Sequence, residues 1–299
     1  MEEVVSRYRY VYKYRALPLL SKDVASKLLE LVNGSCTTSS IDLGFSRTEV
    51  CRYGDEIVFN RRTSTTIDVL RILVEEGKDD AVYAIVEGEP LEIATYSSVE
   101  GGFYRLKYLG FGIPTTLEIN GIHMHRIRGV DPYRDAELKI RSLGKIRGTV
   151  LDTCMGLGYT AIQALRLGAS RVITVEISST VISFAEINPW SKPLEDPRIT
   201  VLHVDILDLA PQLPSNAFDA VIHDPPRISI AGELYSTELY RELFRVLKPG
   251  AKLFHYTGEP GKHGGPSYLK GIKERLQKVG FIVARWDPQA LGYVAYKPR

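Results

Sequence analysis

No run of 18 apolar residues occurs anywhere in the 299-residue chain, which excludes a membrane-spanning helix. Met1-Glu2-Glu3 and the Tyr/Arg run after it lack the apolar core of a secretory leader. Neither sign of charge is in excess: 38 Lys+Arg against 36 Asp+Glu leave +2. That balance excludes a polybasic nucleic-acid tail but allows a local basic patch. Cysteine is scarce. Cys36, Cys51 and Cys154 show no CxxC or Cys/His spacing, so no structural metal is expected, and such usage fits a reducing cytoplasm. Asn occurs five times, Gln four times and Met three times. Scarcity of these thermolabile residues is a hyperthermophile tendency, so thermophily is expected.

What is present reads as two unlike halves. The first ~110 residues show short elements and frequent turns, an α+β pattern. Ser21 and Ser64 stand where helix caps belong, before apolar residues at helical spacing. Leu117, Ile119, Ile122 and Met124 alternate around Asn120-Gly121, the signature of a hairpin with a type I′ turn. Asp131-Pro132 then opens a helix. From Thr149 strand-like runs alternate with helical ones, which implies βαβ units and a mostly parallel sheet. The last two runs, 281–287 and 292–298, are too close for a crossover helix and predict an antiparallel final strand. The division expected is 1–114, an α+β domain and possible substrate platform; 115–148, a hairpin-and-helix bridge; and 149–299, an α/β domain.

The segment VLDTCMGLGYTA at 150–161 follows a strand and opens a helix. Gly156 and Gly158 let the turn tighten and let backbone approach a ligand. Asp152 sits at the carboxyl end of the first strand, where open α/β sheets bind ligands. Glu176 ends the second strand, where an acid can accept both ribose hydroxyls, and Asp205 ends the third. A dinucleotide fingerprint would need Gly at the position of Ala161. A carboxylate at Asp152 would also repel a pyrophosphate, whereas it suits the ammonium of a methionine moiety. The pattern favours S-adenosylmethionine over NAD.

These residues, with Asp224-Pro225-Pro226-Arg227 ending the fourth strand, resemble class I S-adenosylmethionine-dependent methyltransferases, above all predicted archaeal ones. The resemblance covers about 149–299 and implies a Rossmann-like sheet. It implies that Asp152, Gly156 and Gly158 hold the methionine part, that Glu176 binds the ribose, that Ile177 flanks the adenine and that Asp205 binds its amino group. Cys154, Tyr159, Ile206 and Asp224 complete the implied cofactor set. A weaker similarity to spermidine synthases rests on the hairpin and helix before this fold and on LYSTELYRELFRVLKPGAKL. Their GGGDGG loop is absent.

The prolines of the DPPR loop fix the backbone and leave acceptors, the Asp224 carboxylate and the Pro225 carbonyl, free to hold a nitrogen for in-line attack. Asp224, Pro225, Pro226 and Arg227 are the candidate catalytic residues. In similar enzymes that methylate nucleic-acid amino groups, an aromatic follows the prolines and stacks on a flipped base. Here Arg227 takes that place, and its guanidinium can stack or meet phosphate. Residues 123–147 carry +4 without their histidines, and 262–285 carry +5. Residues 7–15 interleave bases with tyrosines. These three stretches point to RNA, transfer or ribosomal, as partner and to a base nitrogen as acceptor. The alternatives are a small-molecule or protein methyltransferase and an aminopropyltransferase.

Overall fold

The computed structural model describes residues 1–60, 63–259 and 266–299. It divides into two compact units. One comprises Met1–Lys13, Tyr133–Ile182 and Pro193–Arg299; the other comprises Tyr14–Pro132 and Ser183–Lys192.

The first unit is built on an eight-stranded sheet. In chain order its strands are β1 (Arg9–Tyr10), β2 (Thr149–Asp152), β3 (Arg171–Glu176), β4 (Ile199–His203), β5 (Phe218–His223), β6 (Leu247–Tyr256), β7 (Ile282–Asp287) and β8 (Gly292–Tyr296). Their order across the sheet is β1-β4-β3-β2-β5-β6-β8-β7. Strands β4, β3, β2, β5 and β6 run parallel, while β8 lies antiparallel between β6 and β7. The mixed α/β sheet with an antiparallel last strand is thus present, and it is of the Rossmann-like methyltransferase type. Val150, Leu151, Val172, Ile173, Val221 and Ile222 are fully buried on alternating faces, as a parallel sheet covered on both sides requires. The helices are α1 (Glu2–Tyr8), α2 (Pro132–Ser142), α3 (Tyr159–Arg166), α4 (Ser179–Ile187), α5 (Thr237–Val246) and α6 (Pro266–Lys278).

Strand order reverses between β2 and β5. The crevice outside their carboxyl ends is the switch point where open sheets bind ligands. Asp152 ends β2 and Asp224 directly follows β5, so the two acids flank it.

Met1–Lys13 belongs to this unit, although it was expected within a 1–114 domain. Val5 joins the core of the sheet unit, and Arg9 and Tyr10 pair with Leu202 and Val201 as an edge strand. Tyrosines alternating with arginines suit a half-buried edge, where one face is wet.

The second unit has three small sheets and helices Lys22–Leu29 and Ile67–Glu76. Thr66, not Ser64, caps the latter, accepting from the Val69 amide, because residues 63–66 are still strand. The hairpin forms as read: Asn120 and Gly121 have φ of 49° and 78°. Its first strand, Thr116–Ile119, pairs along Gly102–Lys107. It therefore extends a sheet of this unit, and contacts divide the chain at Pro132/Tyr133, whereas the sequence suggested a separate bridge from 115. Cys36 and Cys51, expected as free thiols, are register partners on adjacent strands and form a disulfide. Strand pairing brings them together, which a separation of 15 residues does not signal. No helix among the described residues is long and apolar enough to cross a membrane.

Candidate active site at the carboxyl edge

The loop after β2 is tied to both neighbouring strands. The Thr153 amide donates to the Ile222 carbonyl at 3.0 Å, and the Met155 amide to the Val175 carbonyl at 2.7 Å. Gly156 (φ 55°) donates its amide to Glu176 Oε2 at 2.9 Å. The Ser178 amide donates to Glu176 Oε1 at 3.0 Å. The carboxylate is thereby fixed between the glycine loop and the end of β3. Gly158 (φ 80°) needs glycine for two reasons: its backbone is left-handed, and a Cβ would come within 2.5 Å of Leu194.

Asp152 is fully buried. Thr174 and Thr160 donate to its Oδ2 at 2.8 and 3.0 Å, while Oδ1 has no donor among the described residues. Burial pushes its pKa up to about 7, against the two threonine hydrogen bonds. An ammonium brought to this edge would satisfy the orphaned oxygen and favour its ionised form. Asp205 accepts from the Leu207 amide at 2.8 Å, and its other oxygen has no donor among the described residues. Ile177 is an exposed aliphatic side chain, 62% accessible, beside Glu176. Tyr159 and Ile206 are buried. Tyr159 packs edge-on against Tyr133 at 4.8 Å. The Cys154 thiol has its pKa raised by burial and lies 3.6 Å from Thr153 Oγ1.

The DPPR loop holds a group that the sequence does not single out. Lys139 of α2 is buried and reaches Asp224 Oδ2 at 2.7 Å and Asp135 at 2.9 Å. Its ammonium also lies 4.3 Å from the centre of the Tyr256 ring. Burial opposes the Lys139 charge, but the two carboxylates outweigh it and hold the pKa above the ordinary lysine value. Burial likewise raises the pKa of Asp224, and Lys139 limits the rise. One partial signal for this triad was legible. Asp135, Ala136, Lys139, Ile140 and Leu143 recur at helical spacing, and all are buried. Asp135 and Lys139, four apart, share that face.

Asp224 Oδ1 and the Pro225 carbonyl have no donor among the described residues. The Pro226 carbonyl accepts from the Tyr235 hydroxyl at 2.9 Å, so that proline anchors the loop. Arg227 is exposed. Beneath the loop His223 and His255 are register partners with ring centroids 4.6 Å apart. His223 meets Thr153 Oγ1 at 2.7 Å and the Leu234 carbonyl at 2.8 Å; His255 Nε2 meets the Tyr240 hydroxyl at 2.6 Å. Burial lowers the His223 pKa to about 4 and holds that of His255 well below the ordinary histidine value. Both are neutral at pH 7.

The expected basic stretches are largely paired. Arg134 and Arg141 bind Glu137, and His123 binds Glu118. Arg275 and Arg285 donate to the Tyr235 and Ser142 carbonyls. Lys262 lies outside the described residues. Arg7 donates to Gln212 and Tyr8 accepts from it.

Residues 150–250 match the model of the methyltransferase domain. Over 294 residues the chain is 41% identical to the uncharacterized protein MJ1233 of Methanocaldococcus jannaschii, covering 95% of this chain and 98% of that one. The chain belongs to the family of that archaeal protein. A shorter stretch of 164 residues is 31% identical to a polyamine aminopropyltransferase of Mycobacterium tuberculosis, covering 51% of this chain and 31% of that protein. A solved spermidine synthase in complex with the transition-state analogue AdoDATO superposes with a TM-score of 0.53. It covers 70% of this chain and 75% of its own, at 16% identity, a likeness of fold. The family member described here thus carries a methyltransferase domain, whose cofactor is S-adenosylmethionine. One feature of the carboxyl edge fits that cofactor: the orphaned buried Asp152 oxygen, which its ammonium would satisfy.

Proposed function

We propose that the protein is an enzyme that transfers the methyl group of S-adenosylmethionine to a nitrogen of its acceptor, with Asp224 receiving the N–H. The observation that carries this reading is the Asp224 carboxylate, pinned through Oδ2 by Lys139 at 2.7 Å and with no donor to Oδ1 among the described residues. The bound cofactor supplies an electrophilic methyl group on a sulfonium. The chain's own part is positioning and proton removal. Asp224 Oδ1 and the Pro225 carbonyl accept the acceptor's N–H bonds and turn its lone pair toward the cofactor. Lys139 favours the ionised form of Asp224 against the burial that raises its pKa and fixes its rotamer, so that the carboxylate can take the proton. Arg227, exposed beside them, offers a planar cation to the acceptor. An RNA base nitrogen, in transfer or ribosomal RNA, is the acceptor that this loop and Arg227 suit.

Calorimetry with S-adenosylmethionine, together with mass spectrometry of RNA nucleosides from a deletion strain, tests the reading. Asp224→Ala should bind cofactor within a few-fold of wild type yet fail to restore the missing nucleoside. Glu176→Ala should lose cofactor binding about tenfold or more. An unchanged nucleoside profile in the deletion strain sinks the RNA acceptor.

A second reading is aminopropyl transfer to an amine, favoured by the 31% identical stretch shared with the polyamine aminopropyltransferase. Tighter binding of decarboxylated than of intact S-adenosylmethionine would select it.

A further inference from the structure

The opposite, amino edge of the same sheet carries a charged cleft. Three segments converge there. Lys145 and Arg147 precede β2. Lys248, Pro249 and Gly250 form an irregularity at the start of β6, where the register with β5 shifts. Lys297 to Arg299 follow β8, which ends at this edge because it runs antiparallel. The Gly250 amide donates to the Lys297 carbonyl at 2.8 Å and ties the last two segments together. Between them lies a cleft of about 510 Å³ lined by Lys145, Arg147, Asp219, Lys248, Pro249 and Gly250. Arg299 reaches its rim beside Gly250.

Asp219, the acid among these lining residues, is already engaged. It accepts from Lys248 Nζ at 2.7 Å and from the Thr149 amide at 2.8 Å. Lys145 and Arg147 are exposed and make no hydrogen bond or ion pair with the described residues. Elsewhere in the 123–147 stretch, Arg134, Lys139 and Arg141 are held by acids. Lys145 and Arg147 thus bring two uncommitted cations to the cleft, beside Lys248.

We propose that this cleft binds backbone phosphates of an RNA acceptor. The inference deepens the nitrogen-methylation reading and rests on it. The lining chemistry, a guanidinium and ammonium groups in an open, wet cleft, is that of phosphate contact. Its position selects a long polyanion over a small one. The parallel strands β3, β4 and β5 have five or six residues and separate the two edges by roughly 17–20 Å. A small acceptor seated at Asp224 cannot span that distance, whereas an RNA can lay a nucleotide at one edge and its backbone along the other.

The test uses the full-length protein, bulk transfer RNA as probe and the charge-reversed double variant Lys145→Glu/Arg147→Glu. Both substitutions lie outside the candidate catalytic and cofactor residues. Binding is followed by fluorescence anisotropy at several salt concentrations, with S-adenosylmethionine calorimetry on the same preparations. The expected result is a loss of RNA affinity of about tenfold or more at 0.1 M salt, a log–log salt slope shallower by about two, and unchanged cofactor affinity. Equal RNA affinity in wild type and variant overturns the cleft. Wild-type protein that binds cofactor but not transfer RNA overturns RNA as the ligand while sparing methyl transfer. Failure of the cofactor itself to bind overturns the underlying reading. Full competition by 10 mM inorganic phosphate at constant ionic strength would reassign the cleft to a small anion.

Discussion

Lys139 and Lys248 each stand 2.7 Å from an aspartate, one at either edge of a single sheet. Lys139 has a side chain 5% exposed and holds two carboxylates; Lys248 is 44% exposed and holds one. Equal distances therefore hide unequal energies. Water screens the outer pair, which contributes at most about 1 kcal/mol. The inner triad has lost its water, so each charge depends on the others, and removing one strands the rest. Acids at one edge are organised as a buried, preset device. Bases at the other remain solvated and free to meet a partner.

The largest expected break in this contrast is Lys139→Met, which leaves Asp135 and Asp224 buried without a cation. Urea unfolding should show a loss of about 3–5 kcal/mol. A loss below 1 kcal/mol would mean that water enters the triad. Acid comes next. His223 has a folded pKa of about 4 against an ordinary 6.5, and burial lowers that of His255 as well. Above pH 6.5 both are neutral, folded or unfolded. As pH falls from 6.5 toward 4, the unfolded chain gains protons that the folded one refuses. Stability is therefore lost, by about 3 kcal/mol for His223 alone. His223→Gln should flatten that slope in denaturant titrations from pH 4 to 7.

Asp152 works in the opposite sense. Its folded pKa near 7 exceeds the ordinary 3.8, so stability is full below pH 3.8 and falls as pH rises through 7. Asp152→Asn should make the cofactor-free protein more stable at pH 8 by about 2 kcal/mol and weaken S-adenosylmethionine binding. An unchanged or lower stability would show that the carboxylate is better solvated than its burial indicates. The smallest effect belongs to the amino edge: Lys248→Met should cost under about 1 kcal/mol.

The sheet was readable because its strands are apolar runs of the right length, broken by helices that repeat at 3.6. Glu176 ends β3 as its spacing implied, Gly156 lies in the loop just after β2, and Asp205 follows β4 by two residues as the cap of the short helix Ile206–Leu209, since the neighbourhood of a strand end is a one-dimensional fact. What escaped was set by pairing across distance. Arg9 and Tyr10 add an edge strand through two residues against β4, too short a run to show a period. Lys139 read as one cation in a basic stretch, because nothing in the sequence says that its helix face meets the DPPR loop. The same blindness made Arg134, Arg141 and Arg275 look available when each already has a partner. Lys145 and Arg147, in that same stretch, are exposed and lack a partner among the described residues, as does Arg128.

The Cys36–Cys51 bridge turns the choice of buffer into a choice of molecule. Closing a loop of 15 residues adds about 3 kcal/mol in chain-entropy terms. A thiol reductant would therefore soften the Tyr14–Pro132 unit and leave the sheet that carries Asp152 and Asp224 with its covalent structure unchanged. Alkylation after denaturation reads the state directly: one labelled thiol, at Cys154, in the oxidised chain and three in the reduced one. Heating curves recorded with and without reductant would then separate the melting of the two units without a single substitution.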